Sequence, residues 1–390
     1  MTWMIKENEL ADDAHQTEFL TKDIDTKTYW IRGFPGSGKS VLLAYTIKKI
    51  RARKSNARIA LVVFTHSLIK MFKAALAEIG QYADIMTFFD RRLSSCKYDY
   101  IICDEVQDFV PQVLDFVKHN GTHILVAGDE YQSIFEEDPR YHQKTVNPNQ
   151  ISSILNAESF DLKIIHRLTR SIISLVQKFM PSLNIFASKR DMKKEDTQVR
   201  LCYGDCFNDE VRYIMEVAEK AINVGETVSV LFPTQEKALV FAQTTLELKN
   251  KKSWQVSFNQ YNRYDFGNLN NYLSQNGIKM QYVGSTYGDF SEDCQKITIM
   301  TYHSSKGLDF DSVFIPGLTK DLFITPGESL SKRVFMVAMT RSRRNLYLTY
   351  SGTRSDYLED FMSDCKKIDI NDVLNGGSST STSASNIFGF

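Results

Sequence analysis

The sequence carries no net charge: forty-seven Lys and Arg residues balance forty-seven Asp and Glu. Any contact with a polyanion must therefore come from a local groove and not from an overall positive field. Organised cysteine is missing as well. Cys96, Cys103, Cys202, Cys206, Cys294 and Cys365 form no CxxC pair and have no histidine partner at zinc-finger spacing, which argues against a zinc module and leaves reduced thiols in a cytoplasm as the expectation. No apolar run exceeds strand length, IALVVF at 59–64 being typical, and the opening MTWMIKENEL lacks a basic stretch followed by an apolar core. Neither a membrane span nor a secretory leader is expected.

What is present is an alternation of short apolar runs with amphipathic patterns, in a chain of 390 residues that suits two domains, each able to bury a core. TYWIRGF (28–34), RIALVVF (58–64), DYIICD (99–104) and HILVAGD (123–129) read as buried strands. Between them SLIKMFKAALAEI (67–79) and FVPQVLDFVKH (109–119) have helical spacing, the rhythm of a parallel sheet with helical crossovers. The pattern recurs with TVSVLFP (227–233), KITIMTY (296–302), DSVFIPG (311–317) and NLYLTYS (345–351), and with the helix DEVRYIMEVAEKAI at 209–222. These runs predict an α/β protein with a first domain over 1–158, a second over 159–374 and a low-complexity tail over 375–390 whose last residues, IFGF, are apolar.

GFPGSGKS, Gly33-Phe34-Pro35-Gly36-Ser37-Gly38-Lys39-Ser40, fits GxxxxGK[ST] and falls between a strand and a helix. Glycines at 36 and 38 let backbone N–H groups curl around phosphates, Lys39 reaches the β- and γ-phosphates, and Ser40 ligates Mg²⁺. The alternative, a Gly-rich turn without a ligand, does not account for the strand and helix that flank it. DEVQD at 104–108 follows the YIIC strand, which predicts Asp104 on the metal side and Glu105 orienting and deprotonating the attacking water. GDEYQSIF (128–135) ends another strand, with Gln132 placed to sense the γ-phosphate. Acids after a strand also serve simply as helix N-termini.

These segments, followed by TYHSSKGLDF (301–310) and VFMVAMTRSRRNLYL (334–348), stand in the order found in the UvrD/Rep-like superfamily 1 helicases, which this chain resembles from about Gln16 to Ser351. The resemblance implies two tandem RecA-like P-loop NTPase domains that hydrolyse ATP with Mg²⁺ in the cleft between them and move along single-stranded DNA, 3′ to 5′. The motifs leave RNA open as a substrate. It further implies that Gln16 reads adenine, that His166 takes the place of a tyrosine stacked on the base, and that Gly307 and Asp309 belong to the ATP site. Arg167 and Arg341 resemble the two arginines sent to the γ-phosphate, worth about 10³ to 10⁵ in rate where such fingers act. Thr65, Thr87, Phe88, Phe135, Thr301 and His303 match positions that grip backbone phosphates and stack bases. Without the resemblance, Phe88 and Phe135 read as core aromatics and His303 as a histidine at a strand end.

The chain departs from this family in instructive places. Only residues 91–98 separate IMTFFD from the DYIICD strand, so the first accessory insertion is absent, and the stretch from Thr245 to the TYHSSKG segment is too short for the second. EEDPRYHQ replaces the tryptophan-bearing run after QSIF, Asp309 replaces a glutamate, Met336 a tyrosine, and Leu330 with Ser331 a pair of glutamates. A minimal motor is expected. The competing expectation is an ATP-dependent switch or assembly subunit that regulates a protein partner such as a nuclease, in a setting such as phage defence.

Overall fold

The computed structural model describes residues 10, 12–138, 141–183, 189–190, 195–284, 287–288 and 295–376. The IFGF tail and Cys294 lie outside the described residues. The chain divides into two compact units, Met1–Leu168 with Leu183–Lys194, and Thr169–Ser182 with Glu195–Phe390.

The first unit is built on a six-stranded, wholly parallel sheet. Its order is Asp84–Thr87, Ile59–Val63, Tyr98–Cys103, Gly121–Gly128, Thr28–Arg32 and Ala157–Asp161. All five residues of Ile59–Val63 are buried, as a strand covered on both faces requires. Successive residues feed two cores: Tyr29, Ile31, Leu61 and Val63 pack on one face, and Trp30, Ala60, Val62, Ile101 and Cys103 on the other. The expected boundary at residues 158/159 falls inside the last strand, which pairs in register with Thr28–Arg32 from Thr28↔Ala157 to Arg32↔Asp161. A bidentate bridge from Arg32 Nε and Nη2 to the Asp161 carboxylate, at 2.7 and 2.9 Å, fastens that edge. A cut at 158 would divide this paired strand, and the unit's first segment runs on to Leu168.

The second unit carries a seven-stranded parallel sheet. Its order is Met280–Tyr282, Ile297–Thr301, Val228–Phe232, Phe310–Ile315, Ser342–Ser351, Arg200–Gly204 and Lys366–Asp369. Helices Phe207–Asn223, Gln235–Leu248 and Phe266–Gln275 place Tyr213, Phe241 and Leu269 in one core with Val230, Ile299 and Phe314 of the sheet. Glu210, on the first of these helices, is buried and accepts from Gly317 N at 3.0 Å, Ser351 Oγ at 2.7 Å and the Thr349 hydroxyl. Both units are thus parallel α/β layers of RecA-like form. Among the described residues no helix is long and apolar enough to cross a membrane.

Candidate active site

Three neighbouring strands of the first sheet, Tyr98–Cys103, Gly121–Gly128 and Thr28–Arg32, end on the side where ligands meet open parallel sheets. The glycine loop leaves Thr28–Arg32 and runs into helix Lys39–Arg53. Gly36 and Gly38 adopt φ of +78° and +86°, values that a side chain resists. Gly38 also caps the helix without a side-chain acceptor, which leaves the first N–H groups directed at the loop interior. Lys39 is buried with its ammonium on the loop's own carbonyls, 2.7 Å from Gly33 O and 3.2 Å from Phe34 O. Pro35 and Ser37 are buried within the loop, and the Phe34 ring stacks on Tyr131 at 5.5 Å beside a cavity of about 250 Å³ that Arg32 and Lys163 also line.

The acidic residues form one connected chain at the two adjacent strand ends. Ser40 Oγ donates to Asp104 Oδ2 at 2.7 Å, and Asp104 Oδ1 accepts from Glu105 N at 3.0 Å. Glu105 has φ +56° and ψ +40°, a left-handed conformation that costs a residue with a side chain about 1–2 kcal/mol. Strain of this kind persists only where surrounding bonds over-determine it. Here Gln107 supplies them: its Nε2 donates to Glu105 Oε2 at 2.5 Å while its Oε1 accepts from Asp129 N at 3.1 Å. Asp129 in turn accepts from Gln132 Nε2 at 2.8 Å. Burial, reinforced by the Glu105 charge, pushes the Asp104 carboxyl up to about 6, and burial also raises Asp129. A buried acid with a raised pKa favours a cation arriving beside it. Ser40 and Asp104 offer two hard oxygens, a set that suits Mg²⁺ completed by phosphate and water, and no larger cluster of metal-binding side chains occurs among the described residues.

On the other side of the loop, Gln16 is fully buried and its Nε2 donates to Ser37 O at 3.2 Å. Its Oε1 is buried with no hydrogen-bond partner among the described residues. The helix that carries it, Ala14–Thr21, is capped by Asp13, whose carboxylate accepts from His15 N and Gln16 N and pairs with His166 Nε2 at 2.8 Å. Sequence reasoning missed Asp13, Gln107 and Asp129 as organisers. Asp129 and Gln107 lay within the quoted motifs, three residues before Gln132 and two after Glu105, whereas nothing local distinguishes Asp13. The backbone of His166 and Arg167 donates to Gly36 O at 2.9 and 3.2 Å, so the expected stacking and charge-bearing residues are also the clamp on the loop.

The profile of the family described as "UvrD-like helicase C-terminal domain" matches residues 39–353. The chain belongs to the UvrD-like helicase family. Over 120 residues it is 27% identical to DNA helicase II of Rickettsia typhi, a match covering 28% of this chain and 17% of that protein. Over 70 residues it is 41% identical to the ATP-dependent DNA helicase Rep of Buchnera aphidicola, covering 16% and 10% respectively. A complex of arterivirus nonstructural protein 10 (helicase) with DNA aligns at a TM-score of 0.42 and 14% identity over 85% of this chain and 62% of that one. The aligned region spans less than a fifth of the length of either curated relative.

Within this UvrD-like chain the remaining expected residues are placed as follows. Thr65 caps helix His66–Glu78 by accepting from Leu68 N at 3.3 Å, and Thr87 is buried at the end of its strand. Phe88, expected to stack on bases, is instead 1% exposed, between Phe64, Phe89 and Phe109 at ring distances of 5.1, 3.8 and 5.2 Å. It is a core aromatic, because its strand ends under the helices that cover the sheet. Phe135 is half-buried, 4.7 Å from Phe64. In the second unit Thr301 Oγ1 accepts from Ser304 N at 3.1 Å, and burial followed by the Lys306 charge lowers the pKa of His303. Gly307 turns with φ +81°, and Asp309 lies 3.7 Å from Arg343. Arg341 does not project from its unit. It is 1% exposed, donating to Val337 O at 2.9 Å, Leu308 O at 3.2 Å and Thr340 Oγ1 at 3.2 Å. These bonds fasten the TYHSSKG turn to helix Glu328–Met339 and set the resting position of the guanidinium that the resemblance assigns to the γ-phosphate.

Proposed function

We propose that this UvrD-like helicase hydrolyses ATP to move along single-stranded DNA in the 3′-to-5′ direction. The observation that carries the reading is the continuous hydrogen-bonded chain from Ser40 through Asp104, Glu105 and Gln107 to Asp129 and Gln132, set beside a glycine loop whose lysine is held in place. Lys39 leaves the Gly33 and Phe34 carbonyls for the β- and γ-phosphates, and the helix N-terminus receives the phosphate oxygens. Gln16 keeps its bond to Ser37 O and offers the unpartnered Oε1 to the adenine amino group, with His166 against the ring. Ser40 and Asp104 would hold Mg²⁺, which when bound neutralises charge on the phosphates. Glu105, fixed by Gln107, orients and deprotonates the attacking water. Gln132 reports the γ-phosphate to Asp129, while Arg167 supplies positive charge beside the loop it clamps.

Motor action follows if ATP draws the second RecA-like unit onto this face and hydrolysis releases it, each cycle shifting the grip on the strand. With no accessory insertion at residues 91–98, translocation rather than processive duplex separation is the expected output. A cytoplasmic location accords with the free thiols of Cys96, Cys103, Cys202, Cys206 and Cys365. The test is steady-state ATP turnover with and without single-stranded DNA, RNA in parallel, and Glu105→Gln as the inactive control. Turnover stimulated by DNA and abolished by Glu105→Gln is the expected result. Equal turnover with and without strands would overturn the translocase reading.

A further inference from the structure

The segment between helices Gln235–Leu248 and Phe266–Gln275 has a composition unlike the rest of this neutral chain. From Lys249 to Tyr264 it holds Lys249, Lys251, Lys252 and Arg263 and no acidic residue. It is nevertheless ordered by its own contacts. Trp254 is buried and pinned three times: its N donates to Gln243 Oε1 at 3.0 Å, its carbonyl accepts from Gln243 Nε2 at 2.6 Å, and its indole donates to Asn268 Oδ1 at 2.8 Å. Beyond it the chain folds into a tight turn. Phe258 and Tyr264 pair across an antiparallel bridge with rings stacked at 5.3 Å, Asn259 N donates to Arg263 O at 2.8 Å, and the Asn259 carboxamide oxygen accepts from the Tyr261 and Arg263 amides.

The tip of that turn presents Tyr261, 73% exposed, beside Phe258, 56% exposed. Lys251, Lys252 and Arg263 are exposed in the same segment, with no ion pair among the described residues. Two large rings held outward on a fixed turn lose little entropy on contact, and π-faces accept any base. Exposed cations that form no ion pair suit a phosphate backbone. A protein partner of ordinary composition would bring its own cations against these; a nucleic acid brings only negative charge.

We infer that this hairpin, residues 249–264, is a binding element for single-stranded nucleic acid, with Tyr261 and Phe258 stacking on bases and Lys251, Lys252 and Arg263 meeting phosphates. It rests on the reading of the chain as a nucleic-acid motor and adds a contact that none of the helicase motifs supplies. The test uses the full chain and a fluorescein-labelled oligo(dT) followed by anisotropy, with strand-free ATP turnover as the check that the variants are intact. Tyr261→Ala is expected to weaken binding about 5- to 160-fold, the range for loss of one stacked base, and Tyr261→Trp to restore it. Replacing Lys251, Lys252 and Arg263 together by Ala is expected to reduce the slope of log affinity against log salt by about 2. Wild-type protein that binds the strand and is stimulated by it, with both variants binding equally well, would overturn the hairpin inference and leave the motor reading standing. Wild-type protein that neither binds nor responds would overturn both.

Discussion

Replacing Gly36 by alanine tests whether the nucleotide loop is held by the segment at 166–167. A Cβ at this position would lie 2.4 Å from Arg167 Cβ and 3.2 Å from both Arg167 Cα and N. Carbon atoms rest about 3.5–4.0 Å apart, so the gap must open by more than an ångström. The bonds from His166 N and Arg167 N to Gly36 O, now 2.9 and 3.2 Å, would lengthen with it. The left-handed φ of +78° costs about 1–2 kcal/mol, and overpacking with loss of those bonds adds about 2–3 kcal/mol. Gly80→Ala is the matched control: its φ is +67° but nothing lies within 4 Å of the new Cβ, so only the conformational cost of about 1–2 kcal/mol applies. At about 2–4 °C per kcal/mol for a unit of this size, Gly36→Ala should melt the first unit roughly 4–12 °C below Gly80→Ala. Calorimetry, with hydrogen exchange in Thr28–Arg32 to identify the transition, reads the difference, and ATP affinity should fall in Gly36→Ala alone. Equal melting temperatures and equal ATP affinities for the two variants would refute the close approach.

Glu105→Gln keeps an acceptor for Gln107 Nε2 and should leave ATP binding intact while lowering turnover about 10²- to 10⁴-fold; a loss below about tenfold argues against Glu105 as the base. Burial alone would raise the pKa of Asp13, but the His166 bond and the Gln16 and His15 amides outweigh it and hold the carboxyl below 3.8. Its contribution is therefore complete above the ordinary aspartate pKa and lost as pH falls through the lower folded value. The stability difference between wild type and Asp13→Asn, measured by urea titration, should hold steady down to about pH 4.5 and shrink as the pH falls further, and a difference that stays constant under acid would contradict the pairing. Glu210→Ala strands the Gly317 amide and the Thr349 and Ser351 hydroxyls and should destabilise the second unit by about 3–5 kcal/mol in the same titration; a change under about 1 kcal/mol would mean that water replaces the carboxylate there.

The strands read from apolar runs are those at the centres of the two sheets, because a strand covered on both faces needs apolar residues almost throughout. IALVV became Ile59–Val63 and VSVLF became Val228–Phe232, both wholly buried. The strands that escaped notice were chiefly at the edges: Asp84–Thr87 and Ala157–Asp161 in the first sheet, Met280–Tyr282 and Lys366–Asp369 in the second. AESFD and KKID have no apolar run to detect, since one side of an edge strand meets solvent and polar residues protect it from further pairing. The expected domain boundary therefore fell inside the unread edge strand Ala157–Asp161.

The sequence by itself determined the glycine loop, the paired acids, Gln132 and the order of the motifs, because each is a local device: a turn that needs glycine, or a carboxylate at a strand end. Tertiary structure decided which side chains those devices meet. Asp13 reaches His166 across 153 positions, Ser40 reaches Asp104 across 64, and Arg167 lies against Gly36. It also decided that Phe88 and Arg341 face inward. A motif specifies which groups are available, but burial and hydrogen-bond partners depend on packing between segments far apart in sequence, and local spacing carries no record of that packing.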